Sequence, residues 1–241
     1  MKINAKGLHY KTLNELVHNA ITNGEKEIIL DNVNGQRYIA DGLTQNVQIT
    51  INGTPGNDLA AFMDGPTIIV NANAQDGTGN TMNGGKIIIN GNAGDIVGHS
   101  MRSGKIFIKG DVGYRVGIHM KAYENLYPVI IIGGTAQDFL GEYMAGGLLI
   151  VLGLNGKKIT GNYIGTGMHG GVLYIRGNIE PHQIGKEVKI FDLTDEDKQT
   201  LKKYLEEYCQ DFNLKTTDIL KEKFIKLIPY THRPYGKLYA Y

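Results

Sequence analysis

A period of 19 residues organises most of this sequence. The first unit starts at Gln48, and seven units follow one another to Gly185, the last of which is partial. Four units have 19 residues, and two have 24 because each carries an insertion of five residues. A repeat of this length forms one supersecondary unit, which buries its apolar face only by stacking on its neighbours. The sequence therefore predicts a solenoid.

Two aliphatic columns indicate one short strand in each unit. Their members lie two positions apart and are often β-branched, as on the inward face of a β-strand. The first column contains Ile49, Ile68, Ile87, Ile106, Ile130, Leu149 and Leu173. The second column contains Ile51, Val70, Ile89, Ile108, Ile132, Val151 and Ile175. One turn of a parallel β-coil per unit fits this pattern, with equivalent strands of successive turns hydrogen-bonded to each other.

Glycine and methionine columns support the same register. Directly after the strand, where a corner favours a small residue, most units have a glycine. These corner glycines are Gly53, Gly91, Gly110, Gly134, Gly153 and Gly177, with Ala72 in the remaining unit. Every methionine except the first residue falls in one later column, and we interpret this column as a flexible core ladder. The ladder consists of Met63, Met82, Met101, Met120, Met144 and Met168.

We therefore predict an all-β fold, a right-handed single-stranded parallel β-helix of about seven turns, with short helical caps at both ends. A helix from Thr12 to Gly24 defines an N-terminal cap over residues 1–26, and the β-helix occupies 27–185. A second helix, from Thr194 to Phe212, begins the C-terminal extension and tail over 186–241. From Leu227 onward the tail is too punctuated by proline for regular structure.

An apolar ridge is expected on the outer face of the strands. The position between the two inward columns points outward, and a solvated face would carry polar residues there. After Thr50 the column is instead apolar, and its members are Ile69, Ile88, Phe107, Ile131, Ile150 and Tyr174. So long an apolar surface needs a cover. We predict that the C-terminal helix covers part of the ridge, and that a partner protein, or a second copy of the chain, covers the rest.

Composition excludes several classes of protein. Lysine plus arginine is 25 and aspartate plus glutamate is 24, which gives no electrostatic reason to expect nucleic acid or a membrane surface as partner. No apolar stretch approaches the ~20 residues of a membrane span, so we expect a cytoplasmic protein. The only cysteine, Cys209, is insufficient for a disulfide within the chain or a self-contained iron–sulfur cluster.

Catalytic motifs are missing from the sequence. Lys2 stands where an amidotransferase with an N-terminal nucleophile needs cysteine, and no Walker loop or zinc-helix motif occurs. His99, His119 and His169 fall at three different repeat positions, so a metal site is not favoured. Acidic residues near the middle of each unit, Asp58, Asp95 and Asp138 among them, do not share a column either. We predict no catalytic, cofactor-binding or metal-binding residue, and no activity of the chain alone; an independent β-helix enzyme acting on a sugar or an amide remains as an alternative.

Several segments resemble a known family. GNAGDIVGHSMRSGKIFIKG, GGTAQDFLGEYMAGGLLIVLG and GTGMHGGVLYIRG resemble the C-terminal GXGXG domain of the large subunit of glutamate synthase. Upstream, NGQRYIADGL resembles the start of that domain, with Asn34 and Arg37 in matching places. The resemblance spans residues 27–185, and the same repeat family includes the C-type subunit of formylmethanofuran dehydrogenase.

The resemblance implies a non-catalytic scaffold of a multi-subunit oxidoreductase. In glutamate synthase this domain packs between the amidotransferase and FMN-containing synthase domains and supplies no catalytic residue. The resemblance therefore implies amidotransferase and FMN-synthase subunits as partners, with FMN and iron–sulfur clusters on those partners and no cofactor on this chain. The C-type subunit of a formylmethanofuran dehydrogenase complex is the alternative that the repeats leave open.

Overall fold

The structure is a computed structural model that describes residues 1–156 and 158–230. Its helices are α1 (Tyr10–Thr22), α2 (Asp195–Phe212) and α3 (Thr216–Ile219), and a 3₁₀ turn spans Pro181–Gln183. The strands are β1 (Lys2–Asn4), β2 (Glu27–Asn34), β3 (Gln48–Thr54), β4 (Thr67–Val70), β5 (Lys86–Ile89), β6 (Lys105–Ile108), β7 (Val129–Ile132), β8 (Ala145–Val151), β9 (Gly170–Arg176), β10 (Val188–Phe191) and β11 (Phe224–Pro229).

The predicted parallel β-solenoid is confirmed. Strands β1 to β9 pair in chain order and in parallel, with β11 and then β10 added antiparallel at the end of the sheet. The register follows the repeat, since Ile68 pairs with Ile87 and Ile87 with Ile106. Both inward columns are fully buried and form the main core between the turns. The aliphatic spacing in the sequence therefore sets both the strand and its register.

A second hydrogen-bonded stack joins the turns where they are not β-strands. In this part of each turn every second residue has a positive φ, as at Ile96, Gly98 and Ser100 with φ of 52°, 66° and 54°. Their amides alternate in direction: Ile96 N–H donates to Tyr114 O of the following turn, and Gly98 N–H donates to Thr78 O of the preceding turn, each at 2.8 Å. Glycine suits the middle position, because a Cβ at Gly98 would lie within contact distance of the Ile130 side chain. This path ties the turns together on the side away from the sheet.

Each end of the stack is closed by a different device. At the start, β1 extends the sheet beyond the predicted first strand, and α1 lies between β1 and β2 in the chain. There Gln36 donates to Ala5 O and Leu8 O at 3.0 and 3.1 Å. At the far end Gln183 donates to Thr160 O and Gly161 O at 3.0 and 2.9 Å. At each end a buried glutamine donates hydrogen bonds to backbone carbonyls. No further turn of the solenoid is present there to supply donors for these carbonyls.

The expectation that the chain is irregular from Leu227 onward is wrong for its first residues. β11 pairs antiparallel with β9, and Ile225 and Leu227 point into the main core. Pro229 ends the strand opposite Val188, where the missing amide does no harm. The remainder of the predicted irregular tail, residues 231–241, lies outside the described residues.

Candidate functional site

The methionine ladder lies in the main core. All six members are buried, with at most 1% of the side chain exposed. Four of the methionines, Met63, Met82, Met120 and Met144, pack towards the paired glycines of the next turn. A Cβ at Gly104 would lie 2.6 Å from the terminal methyl of Met82, and a Cβ at Gly147 would lie 3.1 Å from that of Met120. The ladder and these glycines therefore form one packing unit, which has no access to a ligand.

The corner glycines accommodate a ladder of side-chain hydrogen bonds. Asn92 N–H donates to Asn73 Oδ1, and Asp111 N–H donates to Asn92 Oδ1, both at 2.8 Å. A Cβ at Gly91 would lie 2.7 Å from the Ala72 carbonyl oxygen, so no larger residue fits. Gly53, Gly153 and Gly177 have positive φ instead, which gives a second reason for glycine at the corner. We assign all six corner glycines to the architecture of the turn.

The helix α2 covers the apolar ridge, as predicted for part of it, and the cover extends so far that only Ile69 is left for a partner or a second copy. Phe107, Ile131, Ile150 and Tyr174 are buried beneath α2, Ile88 is 8% exposed, and only Ile69 is half-buried. The residues of α2 that cover the ridge are Leu201, Leu205, Tyr208, Cys209 and Phe212. The cover is nearly complete because the apolar stripe of α2 runs along successive strands. The surface presented to solvent on this side is therefore the outer face of α2, and not the ridge.

Tyr208 fixes α2 to the middle of the ridge. Its ring packs edge-on against Phe107 with centroids 5.7 Å apart, and its hydroxyl donates to Ile108 O at 3.1 Å. Burial raises the pKa of Tyr208, and the nearby Cys209 raises it further. The hydroxyl therefore stays protonated and acts as a permanent donor.

A buried carboxylate fixes the start of α2. Asp197 accepts hydrogen bonds from the Tyr174 hydroxyl, from Lys226 Nζ at 2.9 Å and from Thr194 N–H at 2.8 Å. Burial by itself would raise the pKa of Asp197, but the bonds from Tyr174, Lys226 and Thr194 outweigh it and lower the pKa to about 2. Burial and the neighbouring Asp197 raise the pKa of Tyr174. This cluster joins α2, β9 and β11.

An ion-pair network fixes the other end of α2. Lys86 Nζ lies 2.9 Å from Glu207 and 2.6 Å from Asp211, and Lys105 Nζ lies 2.6 Å from Glu207. Burial would raise the pKa of Glu207, but Lys105 and Lys86 outweigh it and leave the pKa below its ordinary value. The two lysines are the first residues of β5 and β6. The network therefore adds ion pairs at the edge of the apolar contact between α2 and the ridge.

Two ladders of stacked side chains run along a second flank of the solenoid, and within residues 1–156 and 158–230 their outer members remain exposed. Five of the six ladder residues have a positive φ, and His99 is the exception. We call the surface that the six side chains form the open flank. In the first ladder the Arg115 guanidinium lies 4.6 Å from the centroid of Phe139, and Phe139 stacks on Tyr163 at 4.9 Å. Arg115 Nε also donates to Glu142 Oε2 at 2.8 Å, which holds the guanidinium over the ring. Tyr163 ends the ladder and is 53% exposed.

The second ladder consists of His99, His119 and Tyr143. The two histidine rings lie 6.0 Å apart, and His119 stacks on Tyr143 at 5.3 Å. Burial lowers the pKa of His99, and His119 lowers it further. The two histidines come together although their repeat positions differ by one, so their column was missed from the sequence. His169 makes a separate contact to Gly167 O.

The acidic residues form columns that hold backbone amides. Asp95 N–H donates to Asp76 Oδ1, Tyr114 N–H donates to Asp95 Oδ1, and Asn162 N–H donates to Asp138 Oδ1. Asp76, Asp95 and Asp138 thus share one column, in which Tyr114 occupies the turn between Asp95 and Asp138, whereas Asp58 lies in a neighbouring column. The expectation that they share no column is therefore wrong for these three. Their carboxylates are engaged in holding the turns, which is a structural use.

The described residues contain no metal-binding cluster and no membrane-spanning helix, and one apolar cleft lies beside α2. Within residues 1–156 and 158–230 no group of three metal-ligating side chains is close enough to hold a metal ion, and no helix is long and apolar enough to cross a membrane. A cleft of about 540 Å³ lies between α2 and the adjoining ends of β10 and β11. Leu193, Leu201, Leu220 and Phe224 line it, and the lysines at its border already pair with Asp195, Glu206 and Asp192.

Comparison with known proteins agrees with this architecture. Residues 11–230 match the sequence model of a protein family whose description is "GXGXG motif". The chain therefore belongs to the GXGXG motif family of β-solenoids. It is 53% identical to the uncharacterized protein MJ1350 of Methanocaldococcus jannaschii over 249 aligned residues, which cover 99% of this chain and 95% of that protein.

A solved structure shares the fold. It is the crystal structure of the formyltransferase/hydrolase complex FhcABCD from Methylorubrum extorquens with methylofuran, and one of its chains superimposes with a TM-score of 0.62. The match covers 82% of this chain and 71% of that chain at 20% identity. At this identity the likeness concerns the fold alone.

Proposed function

We propose that this chain is a non-catalytic scaffold and interaction subunit of a multi-subunit enzyme. The observation that carries the proposal is the open flank, where two ladders present arginine, histidine and tyrosine side chains in a fixed geometry. Arginine and tyrosine are enriched at the energetic centres of protein interfaces, because they combine a large contact area with hydrogen-bonding groups. A rigid solenoid holds these groups in place, so little conformational entropy is lost on binding.

The polar groups of the open flank favour a protein partner with an acidic surface. Arg102 lies on the same flank, close enough to His99 to lower the pKa of that histidine. Arg115 is nearly half exposed, although it pairs with Glu142. Carboxylates of a partner would meet these cations beside the tyrosine rings, and this combination gives both specificity and affinity.

A complex of the formylmethanofuran dehydrogenase type is our first candidate. The fold shared with a chain of the formyltransferase/hydrolase complex supports it. In such a complex the chemistry and the molybdenum or tungsten pterin cofactor belong to the other proteins of the assembly, and this chain positions them in the cytoplasm.

A glutamate-synthase-type complex is the second candidate, and a specific sequence observation favours it. The segments at 91–110, 133–153 and 165–177 resemble the GXGXG domain of that enzyme in strand, glycine and methionine columns together. The partners are then amidotransferase and FMN-synthase subunits, which carry the FMN and the iron–sulfur clusters.

Affinity purification of the tagged chain from its own host tests the proposal and separates the two candidates. Mass spectrometry of the co-purified proteins should identify pterin-enzyme subunits for the first candidate, or amidotransferase and flavin-synthase subunits for the second. The variant Tyr143→Ala/Tyr163→Ala should lose most of these partners. A matched control, Tyr123→Ala/Leu126→Ala, removes equally exposed side chains from the insertion loop and should keep them.

Two results would contradict the proposal. Recovery of the chain alone would remove the reason for a scaffold and would justify a search for activity of the isolated protein. Full partner recovery by the double variant on the open flank would mean that a different surface makes the contact.

A further inference from the structure

The last strand of the sheet has an open edge. In the sheet order β9–β11–β10, strand β10 pairs with β11 on one side only, among residues 1–156 and 158–230. Tyr230 N–H donates to Glu187 O at 3.0 Å, so residue 187 is hydrogen-bonded to the β11 side of the ladder. Antiparallel ladders alternate between bonded and non-bonded pairs. The N–H and C=O of Ile190 therefore point away from β11, towards the open edge.

The apolar surface continues onto this edge, where no other part of residues 1–156 and 158–230 covers it. Ile190 pairs with Leu227, a fully buried member of the main core, and so lies on the same face of the sheet. Ile190 is nevertheless 41% exposed, and Phe191 on the opposite face is also 41% exposed. An edge strand that presents free backbone groups and apolar side chains is suited to pairing with another extended strand.

The sequence of β10 is complementary to itself. With a twofold axis through Ile190, antiparallel pairing places Ile190 against Ile190 of a second copy, and Lys189 against Phe191 of that copy. The side chains then meet apolar against apolar on one face and ammonium against ring on the other. Around the strand Lys186 and Lys189 balance Glu187 and Asp192, so two copies meet without net like charge.

We propose that β10 pairs with β10 of a second copy of this chain, forming a twofold-symmetric dimer with one continuous sheet. The twofold axis passes between the Ile190 residues of the two copies, which exchange two backbone hydrogen bonds with each other. The open flank takes no part in this pairing.

Sedimentation equilibrium of the purified full-length chain over a wide range of concentrations tests the dimer. The expected mass is twice that of the 26.5 kDa chain at high concentration. Ile190→Lys places two ammonium groups at the axis and should give the 26.5 kDa species at every concentration. Ile29→Lys is the matched control, because Ile29 is also a strand isoleucine and is 40% exposed, at the opposite end of the sheet. It should remain dimeric.

Cysteine cross-linking tests the register. Across a hydrogen-bonded antiparallel pair the Cα atoms lie about 5.5 Å apart, within the range of a disulfide. Ile190→Cys should therefore form a covalent dimer on mild oxidation. Phe191→Cys is the control of equal exposure; its counterpart is displaced by two residues, roughly 8 Å away, beyond disulfide reach. The native Cys209 is buried and should not react.

Three outcomes would overturn the proposal. The first is a wild-type chain that stays monomeric at every concentration, which would mean that β10 is covered in another way or accepts a strand of a different protein. The second is an Ile190→Lys variant that remains dimeric. The third is a Phe191→Cys variant that cross-links as fast as Ile190→Cys.

Discussion

The covered ridge and the open flank arise from the same repeat but differ in what faces them. On the ridge, aliphatic residues and Phe107 stack turn upon turn, and α2 covers them with its own apolar stripe. On the open flank, Arg115, Phe139 and Tyr163 stack in the same way, and their outer surface stays exposed. A continuous aliphatic column thus indicates an internal contact, whereas stacked rings with an arginine at the end of the stack indicate a surface that can bind a partner.

The largest expected difference concerns a charge placed on each surface. Phe107→Glu puts a carboxylate beneath Tyr208, where the adjacent Lys86, with Nζ 4.9 Å from the centroid of the Phe107 ring, is already paired with Glu207 and Asp211. The variant should lower the free energy of unfolding by about 4 kcal/mol or more. Tyr163→Glu places the same carboxylate at the exposed end of the open flank and should change it by about 0.5 kcal/mol. Denaturant unfolding of both variants measures the difference. Equal losses would mean that the two surfaces are equally buried.

The buried carboxylate at the start of α2 gives the next largest effect. Asp197→Asn leaves Lys226 without its counter-charge and should cost about 2–3 kcal/mol at neutral pH. Because the pKa of Asp197 is lowered from 3.8 to about 2, its contribution is present above pH 3.8 and is lost as pH falls through 2. Unfolding of the wild type between pH 5 and 2 should show this loss.

The Asp197→Asn variant should lack that part of the pH dependence. Asp195→Asn is the control, since Asp195 lies in the same helical turn but is exposed. A pH profile of Asp197→Asn identical to that of the wild type would contradict the role given to Asp197.

Much of the fold could be predicted because the repeat records each inward position seven times. Ile106 or Met101 alone says little, but their columns fix strand, register and core together. The helix from Thr194 to Phe212 was also predictable, because its N-cap and apolar stripe are local signals. β1 and the start of β11 were not predictable, since a short strand is defined by a partner far away in the chain.

The site was harder to predict for two physical reasons. That the C-terminal helix covers part of the ridge was predicted, but the extent of the cover depends on where α2 packs, which an amphipathic stripe does not specify. The open flank depends on a backbone with alternating positive φ, which Phe139 and Tyr143 adopt although such residues rarely do. In some turns a glycine, such as Gly98 or Gly117, indicates this backbone path. The bulky residues of positive φ on either side of these glycines obscure the pattern in the sequence.

A smaller effect is expected where α1 covers the first turn of the open flank. Burial raises the pKa of Asp41 to about 6, and Asp58 adds to the rise while His18 opposes it. The folded pKa lies above 3.8, so the stabilising contribution is complete below pH 3.8 and is lost as pH rises through 6. Asp41→Asn should therefore raise the free energy of unfolding at pH 7 by about 1 kcal/mol, a value reduced for partial solvent exposure.

Thermal unfolding at pH 4 and pH 7 checks the Asp41 prediction. The stabilisation by Asp41→Asn should be present at pH 7 and absent at pH 4. Asp64→Asn, which replaces an exposed carboxylate of the next turn, serves as the control for the loss of one negative charge. A gain at pH 4 equal to that at pH 7 would exclude titration of Asp41 as the cause.

The smallest expected effect measures the ring ladder itself. A double-mutant cycle of Phe139→Leu and Tyr163→Ala isolates the energy of the stack, and its coupling should be about 0.5–1 kcal/mol. Such a value fits rings that are held in place chiefly by the rigid backbone and are displayed to a partner. Coupling well above this range would make the ladder a main support of the turns. In that case the open flank would resemble the covered ridge in its energetics, and its exposed rings would no longer argue for a binding surface.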